Sequence, residues 1–119
     1  MGCDIHLYIE QQKYNTWKAF GGEYGLPRDY DMFGVLARVR SKTKYSYKPR
    51  GIPEDFSEDV DYVNGHNHSW LTVIEYENAI KQYTDYYSFP QMEYFIIGLI
   101  LRYLENNGRA ARVVFWFDN

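Results

Sequence analysis

Arg38, Arg40, Lys42, Lys44, Lys48 and Arg50 place six cations within thirteen residues with no acid between them, and Tyr45 and Tyr47 are set among them. Glu54, Asp55, Glu58, Asp59 and Asp61 follow with no cation among them. Cations beside flat aromatic faces suit a phosphorylated, base-containing ligand, because guanidinium groups take phosphate oxygens in pairs and rings take a base. Arg50 is singled out by its setting, Pro49-Arg50-Gly51-Ile52-Pro53, where two prolines stiffen the backbone and lower the entropy of presenting a guanidinium to phosphate. The lysines of the tract read as a solvated loop whose basic half can pair with the acidic half that follows.

A second group of chemically capable residues holds all three histidines of the chain. Asp4 and His6 lie on the polar side of an alternating segment, and His66, His68, Ser69 and Trp70 follow the charged tract. Asp-x-His on a strand and His-x-His in a loop can chelate a divalent metal or supply an acid/base pair for phosphoester hydrolysis. Equally, these side chains can line a binding pocket without reacting. Cys3 alternates onto the inward side, which suits a buried, inert thiol.

These residues need elements to position them. Residues 3–10 alternate, with Cys3, Ile5, Leu7 and Ile9 on one side and Asp4, His6, Tyr8 and Glu10 on the other, as a strand with one buried face does. Residues 14–20 suit a second strand that stops at Gly21-Gly22, with a hairpin turn near residues 11–13. Asp29 or Asp31 can cap a short helix over residues 32–39. Residues 40–69 show no sustained period, and a stretch of that length is read as the working loop. Thr72 and Glu75 have the spacing of a capping box for a helix through about Tyr83, Ser88 and Pro90 open a further helix to Asn106, and residues 112–118 alternate as a last strand. The fold expected is α+β: a small, mainly antiparallel sheet of two or three strands, about three helices and a long functional loop, in a single domain over residues 1–119.

The composition sets limits. Thirteen Lys and Arg against sixteen Asp and Glu give a net charge of −3, so no global field draws the chain to long nucleic acid or to an anionic membrane. One cysteine makes neither an intrachain disulfide nor a CxxC site, and the reading is a cytoplasmic protein. Thirteen Tyr, seven Phe and three Trp bring aromatic content to 19%, which suits pockets and interfaces as well as cores. The longest apolar run, residues 95–101, is too short to cross a bilayer. It places apolar residues all round the helix axis, and with Gly98 allowing a second backbone to approach, a homodimer or larger even-numbered oligomer is expected along that helix. P-loop, GxGxxG and GxSxG signatures do not occur.

The opening Met1-Gly2-Cys3-Asp4-Ile5-His6 resembles the start of a family of small proteins encoded by many tailed phages. The likeness continues through Arg28-Asp29-Tyr30 with Phe33, through Pro49-Arg50-Gly51-Ile52-Pro53 with Asp55 and Ser57, and through His66, Ser69, Trp70 and Leu71. The chain has Asn64 and Asn67 where the family commonly has Asp and Ser, and a neutral amide at a possible ligand position weakens the metal reading. The resemblance implies a phage accessory protein acting in an infected bacterium.

The function expected is a counter-defence protein that sequesters a nucleotide-derived immune signal, of cyclic ADP-ribose or cyclic oligonucleotide type. Arg50, Arg38 and Arg40 would meet phosphates, with Tyr47 or Trp70 on the base and His66, His68, Ser69, Asp4 and His6 completing the pocket. No cofactor is expected; a divalent metal on Asp4, His6, His66 and His68 is the alternative. The competing functions are a phosphodiesterase using those same four residues and a protein inhibitor of a host factor.

Overall fold

In a computed structural model, which describes residues 2–41, 43–62 and 64–119, the elements run β1 (Asp4–Lys13), β2 (Thr16–Ala19), α1 (Tyr30–Ala37), β3 (His66–Thr72), α2 (Val73–Tyr86), α3 (Met92–Asn106) and β4 (Ala111–Asp118). Met1 of the opening motif and Lys42 of the basic tract lie outside the described residues. The strands form one antiparallel sheet in the order β2-β1-β4-β3. This confirms the α+β class and corrects the strand number from two or three to four.

The additional strand, β3, comes from the end of the stretch read as loop. Its register shifts between His66, opposite Phe117, and Ser69, opposite Phe115, so one extra residue is accommodated there. Asn67 takes this bulge with a left-handed φ of 54° and donates its side-chain amide to the Ala37 carbonyl. The bulge breaks the two-residue period that a strand search relies on. It also turns His68 and Trp70 to the face opposite that of Ser69 and Leu71. Gly65, with φ +93°, leads into the strand where a Cβ would lie 2.5 Å from the Phe117 carbonyl oxygen, so only glycine fits.

The first hairpin also differs from expectation. β1 continues to Lys13, and the turn is Tyr14-Asn15, both left-handed at φ 55° and 65°, the geometry of a two-residue loop that matches strand twist. Tyrosine at the first of these positions carries no turn signal. Asp29, rather than Asp31, caps α1 by accepting from the Met32 amide, and helix α1 ends at Arg38 in a left-handed cap. The Thr72/Glu75 capping box is present, and α3 begins at Met92, beyond Ser88 and Pro90.

Two hydrophobic clusters flank the sheet. On one face Ile5, Leu7, Ile9, Leu71, Val113, Phe115 and Phe117 pack against the three helices. On the other, Val60 and Tyr62 lie over Val114, Trp116, Tyr8 and Trp70. Central β4 is therefore covered on both sides, and Val113 to Phe117 reads as an unbroken apolar run. Tyrosine serves this packing while its hydroxyl finds an acceptor, Tyr76 donating to the Tyr94 carbonyl, Tyr94 to that of Pro27 and Tyr83 to Asp29. No helix among the described residues is long and apolar enough to cross a membrane.

Candidate functional site

The Pro-Arg-Gly segment lies along the outer edge of β3. The Arg50 amide donates to Ser69 Oγ at 3.1 Å and the Gly51 amide to the His68 carbonyl at 2.7 Å. Ser69, one of the residues singled out in the sequence, is thus buried and holds the loop that carries Arg50. The guanidinium itself donates to both carboxylate oxygens of Glu75, Nη1 at 2.7 Å and Nη2 at 2.5 Å, and stacks on two rings, 4.8 Å from the centroid of Trp70 and 5.7 Å from that of Tyr47. Hydrogen bonds from Arg50, against the opposing effect of burial, hold the Glu75 carboxyl down at about 2, with the Thr72 amide helping. Glu75 therefore has two duties, closing the capping box of α2 and orienting Arg50.

Beyond Arg50 the chain runs back along α2. Glu75, Asn78, Gln82 and Tyr86 recur at spacings of three and four, a single helical stripe. Tyr45, Ser46 and Tyr47 enclose, with Asn78 and Gln82, a cleft of about 390 Å³. The Tyr45 and Tyr86 rings meet at 5.1 Å, and the Tyr47 amide donates to the Val35 carbonyl, which seats the segment on α1. Burial, then the charge of Glu75, pushes the Tyr47 hydroxyl pKa upward.

Three cations contact the residues that line this cleft. Arg38 Nε donates to Ser46 Oγ at 3.0 Å, Lys44 Nζ sits 5.5 Å from the Tyr45 centroid, and Arg50 covers Tyr47. Among the described residues no carboxylate lines it, in contrast to the neighbouring 460 Å³ cleft on the Trp70 side of Arg50, which has Glu54 and Asp55 in its wall. Arg40, expected to share this site, lies instead over Tyr30, 5.4 Å from its centroid.

Arg112 extends the stack of guanidinium and ring from Arg50. Its guanidinium lies 5.9 Å from the Trp70 centroid and 3.8 Å from that of Trp17, and it donates to Glu10 at 2.7 Å and Asp55 at 2.9 Å. Glu10 is fully buried and also accepts from the Ser57 amide and the Tyr62 hydroxyl. The loop residues Asp55 and Ser57 are in this way tied to the sheet through one buried ion pair.

Asp4, His6, His66 and His68 do not converge. Asp4 pairs with Arg28, whose Nε donates to it at 2.7 Å. His6, on β1, is held between Glu23 and Asp118. His68, on β3, stacks on Trp116 from the other side of β4, so that an indole separates the two imidazoles. His66 faces the helical side, near Phe117, and is bonded to Asn67 and Asn119. Among the described residues no three His, Cys, Asp or Glu side chains come together in a way that could hold a metal ion. Cys3 is buried, and burial raises the pKa of its thiol.

Sequence reasoning missed Glu75 as the partner of Arg50 and missed Asn78 and Gln82 altogether. Their spacing on one face of a helix whose buried positions are Val73, Tyr76, Ala79 and Tyr83 was the available signal. With this architecture and surface in hand, comparison with protein families, with curated proteins and with solved structures finds no match.

Proposed function

We propose that this protein binds a nucleotide-type small molecule at the tyrosine cleft along α2 and retains it without converting it. The observation that carries the reading is a cleft with aromatic walls and no carboxylate among its described lining residues, whose Ser46, Tyr45 and Tyr47 are contacted by Arg38, Lys44 and Arg50 respectively. Phosphate oxygens suit these cations, and a base stacked on tyrosine contributes about 1–3 kcal/mol. The cleft volume also lies in the usual range for small-molecule sites, roughly 300–1,000 Å³. Retention is favoured over cleavage because Asp4, His6, His66 and His68 each face separate partners. In the setting that the phage resemblance implies, withholding a nucleotide signal from the host is itself the activity.

The test is to incubate the purified protein with cyclic mononucleotides, cyclic dinucleotides and cyclic ADP-ribose, remove the protein, and then heat it. Depletion followed by intact recovery supports retention. Recovery of fragments assigns a phosphodiesterase, and no depletion leaves an inhibitor that acts on a host protein.

We further infer that two chains associate through α3. Tyr94, Ile97, Leu101 and Leu104 face the core, whereas Met92, Phe95, Ile96, Leu99 and Tyr103 form a second, exposed stripe. The spacing of Met92, Ile96, Leu99 and Tyr103, four then three then four, is that of a helix-pairing seam. Phe95 and Leu99 border an apolar groove of about 340 Å³ between α2 and α3. A ridge and a groove on one surface are the requirements of a two-fold, self-complementary contact. Gly98 also lines this groove, and a Cβ there would meet the Tyr76 ring at an ordinary contact distance of 3.5 Å.

A further inference from the structure

We infer that Asn64-Gly65 is a self-modifying site, at which the folded protein loses the Asn64 side-chain nitrogen as ammonia and the residue becomes aspartate or isoaspartate. Glycine after asparagine favours this reaction, because a residue without a Cβ lets its amide nitrogen reach the side-chain carbonyl carbon before it. The bond that forms joins the Gly65 nitrogen to Asn64 Cγ. The bond that breaks frees the side-chain nitrogen, which leaves as ammonia with the proton of the Gly65 amide. Water then opens the five-membered imide at either of its carbonyls, giving aspartate or isoaspartate, and no oxidant or reductant takes part.

The chain contains two Asn-Gly pairs, and the fold treats them differently. At Asn107-Gly108 both reacting groups are engaged. Asn107 Nδ2 donates to the Tyr103 carbonyl at 2.7 Å, and the Gly108 amide to that of Glu105 at 3.0 Å, at the end of α3. Attack there requires both bonds to open first. Asn64 and Gly65, by contrast, are exposed in the connection that leads into β3, and among the described residues neither the Asn64 carboxamide nor the Gly65 amide makes a hydrogen bond. The Asn64 side chain lines an open cleft of about 330 Å³ with His6, Glu23, Asp61 and Asp118, so water has access to it.

The two products act differently on the fold. Aspartate keeps the backbone length and adds a carboxylate to a cleft that already has those of Glu23, Asp61 and Asp118 around His6. Isoaspartate routes the main chain through the former side chain and so inserts one methylene just before Gly65. There is no room for it there, since even a Cβ on Gly65 would lie 2.5 Å from the Phe117 carbonyl oxygen and 2.7 Å from Trp116 Cδ1. The added carbon must displace the start of β3, where His66 pairs with Phe117.

The experiment is to incubate the purified protein in warm, mildly alkaline buffer, with and without denaturing urea, and to follow both pairs by peptide mass spectrometry, in which each conversion is a gain of about one dalton. In the folded protein Asn64 should convert at least about tenfold faster than Asn107, the protection that two hydrogen bonds at the helix end confer. In urea the two rates should come together. The isoaspartyl form, separated from the parent by ion exchange through its added charge, should melt below Asn64→Asp, which carries that charge without the extra carbon. Equal rates at the two pairs in the folded protein, or conversion of Asn64 in urea alone, would overturn the site. An isoaspartyl form that melts with Asn64→Asp would overturn the displacement of β3.

Discussion

The imidazole of His6 lies against the indole of Trp116, ring centroids 5.5 Å apart and planes 18° from parallel, and each imidazole nitrogen meets a carboxylate. Glu23 sits at Nδ1, 3.1 Å away, and Asp118 at Nε2. Two acceptors require a proton on both nitrogens, so this arrangement is that of an imidazolium stacked on an aromatic face. His68, on the opposite side of the same indole, is the reverse case. Its Nε2 is buried without a hydrogen-bond partner among the described residues, and burial, with the charge of His66, lowers its pKa.

A pH dependence of stability with two opposed contributions follows. Burial works against the His6 proton, but the hydrogen bonds to Asp118 and Glu23 outweigh it and raise the pKa above the ordinary value. A raised folded-state pKa contributes stability that is whole below the unfolded value of about 6.5 and is lost as pH rises through the folded one. His68, with a lowered pKa, contributes stability that is present above about 6.5 and lost on acidification. Urea unfolding of His6→Gln should therefore show a deficit against the parent that is larger at acidic than at alkaline pH. A deficit independent of pH would dismiss the imidazolium.

The Arg50–Glu75 pair connects ligand affinity to helix stability. Arg50→Ala should weaken nucleotide binding by about 1.5–3 kcal/mol, the usual worth of charge-assisted hydrogen bonds. It should also lower stability by about 1 kcal/mol, because a partly exposed bidentate pair with Glu75 is lost. Glu75→Gln is the informative counterpart. Glutamine still closes a capping box, but it no longer neutralises the guanidinium, so phosphate-bearing ligands should bind more tightly. With its carboxyl held at about 2, the contribution of Glu75 to stability is complete above the unfolded value of about 4.3 and is lost as pH falls through about 2. Weaker binding by Glu75→Gln would show that the carboxylate, and not only the arginine, positions the ligand.

What the sequence disclosed depended on the range of the interaction. The Thr72/Glu75 box, the Asp29 cap and the alternation of β1 are local patterns, and each is present in the fold. The bulge at Asn67 and the turn at Tyr14-Asn15 are set by left-handed backbone at non-glycine residues, which leaves little compositional trace. At the site, the two prolines single out Arg50, but Ser69 and Glu75, nineteen and twenty-five residues further on, are joined to it only by the antiparallel sheet and the helix that follows. Long-range pairing of this kind has no signature within a sequence window. Histidines close in sequence, His66 and His68, were for the same reason read as partners although the bulge sends them towards different surroundings.

Glu10 and Arg112 should govern how firmly the loop over the open face is held. Both side chains are buried, and removing one leaves the other charged and without its main partner. Arg112→Met is accordingly expected to cost about 3–5 kcal/mol in urea unfolding, and Glu10→Leu combined with Arg112→Met should cost much less than the sum of the two single changes. Because Asp55 and the Ser57 amide bind this pair, hydrogen exchange at Ser57 should accelerate in either single variant. Additive losses would indicate that the two side chains act separately.

The exposed stripe of α3 yields the remaining expectation. Met92, Leu99 and Tyr103 are 71%, 55% and 71% exposed, large apolar side chains in line on one helix, and such a continuous patch marks an interaction surface. Covering it with a second copy accounts for its seam-like spacing and for the groove alongside. Light scattering at micromolar concentration should give the mass of two chains or a larger even number. Substitution must be made on the exposed stripe: Ile97 is 1% exposed and belongs to the core, so a charge there would unfold the chain whether or not it dimerises. Leu99→Glu puts two like charges close to the two-fold axis and should return the protein to the mass of one chain with its circular dichroism spectrum intact. A parent protein that scatters as one chain at these concentrations would refute the dimer outright.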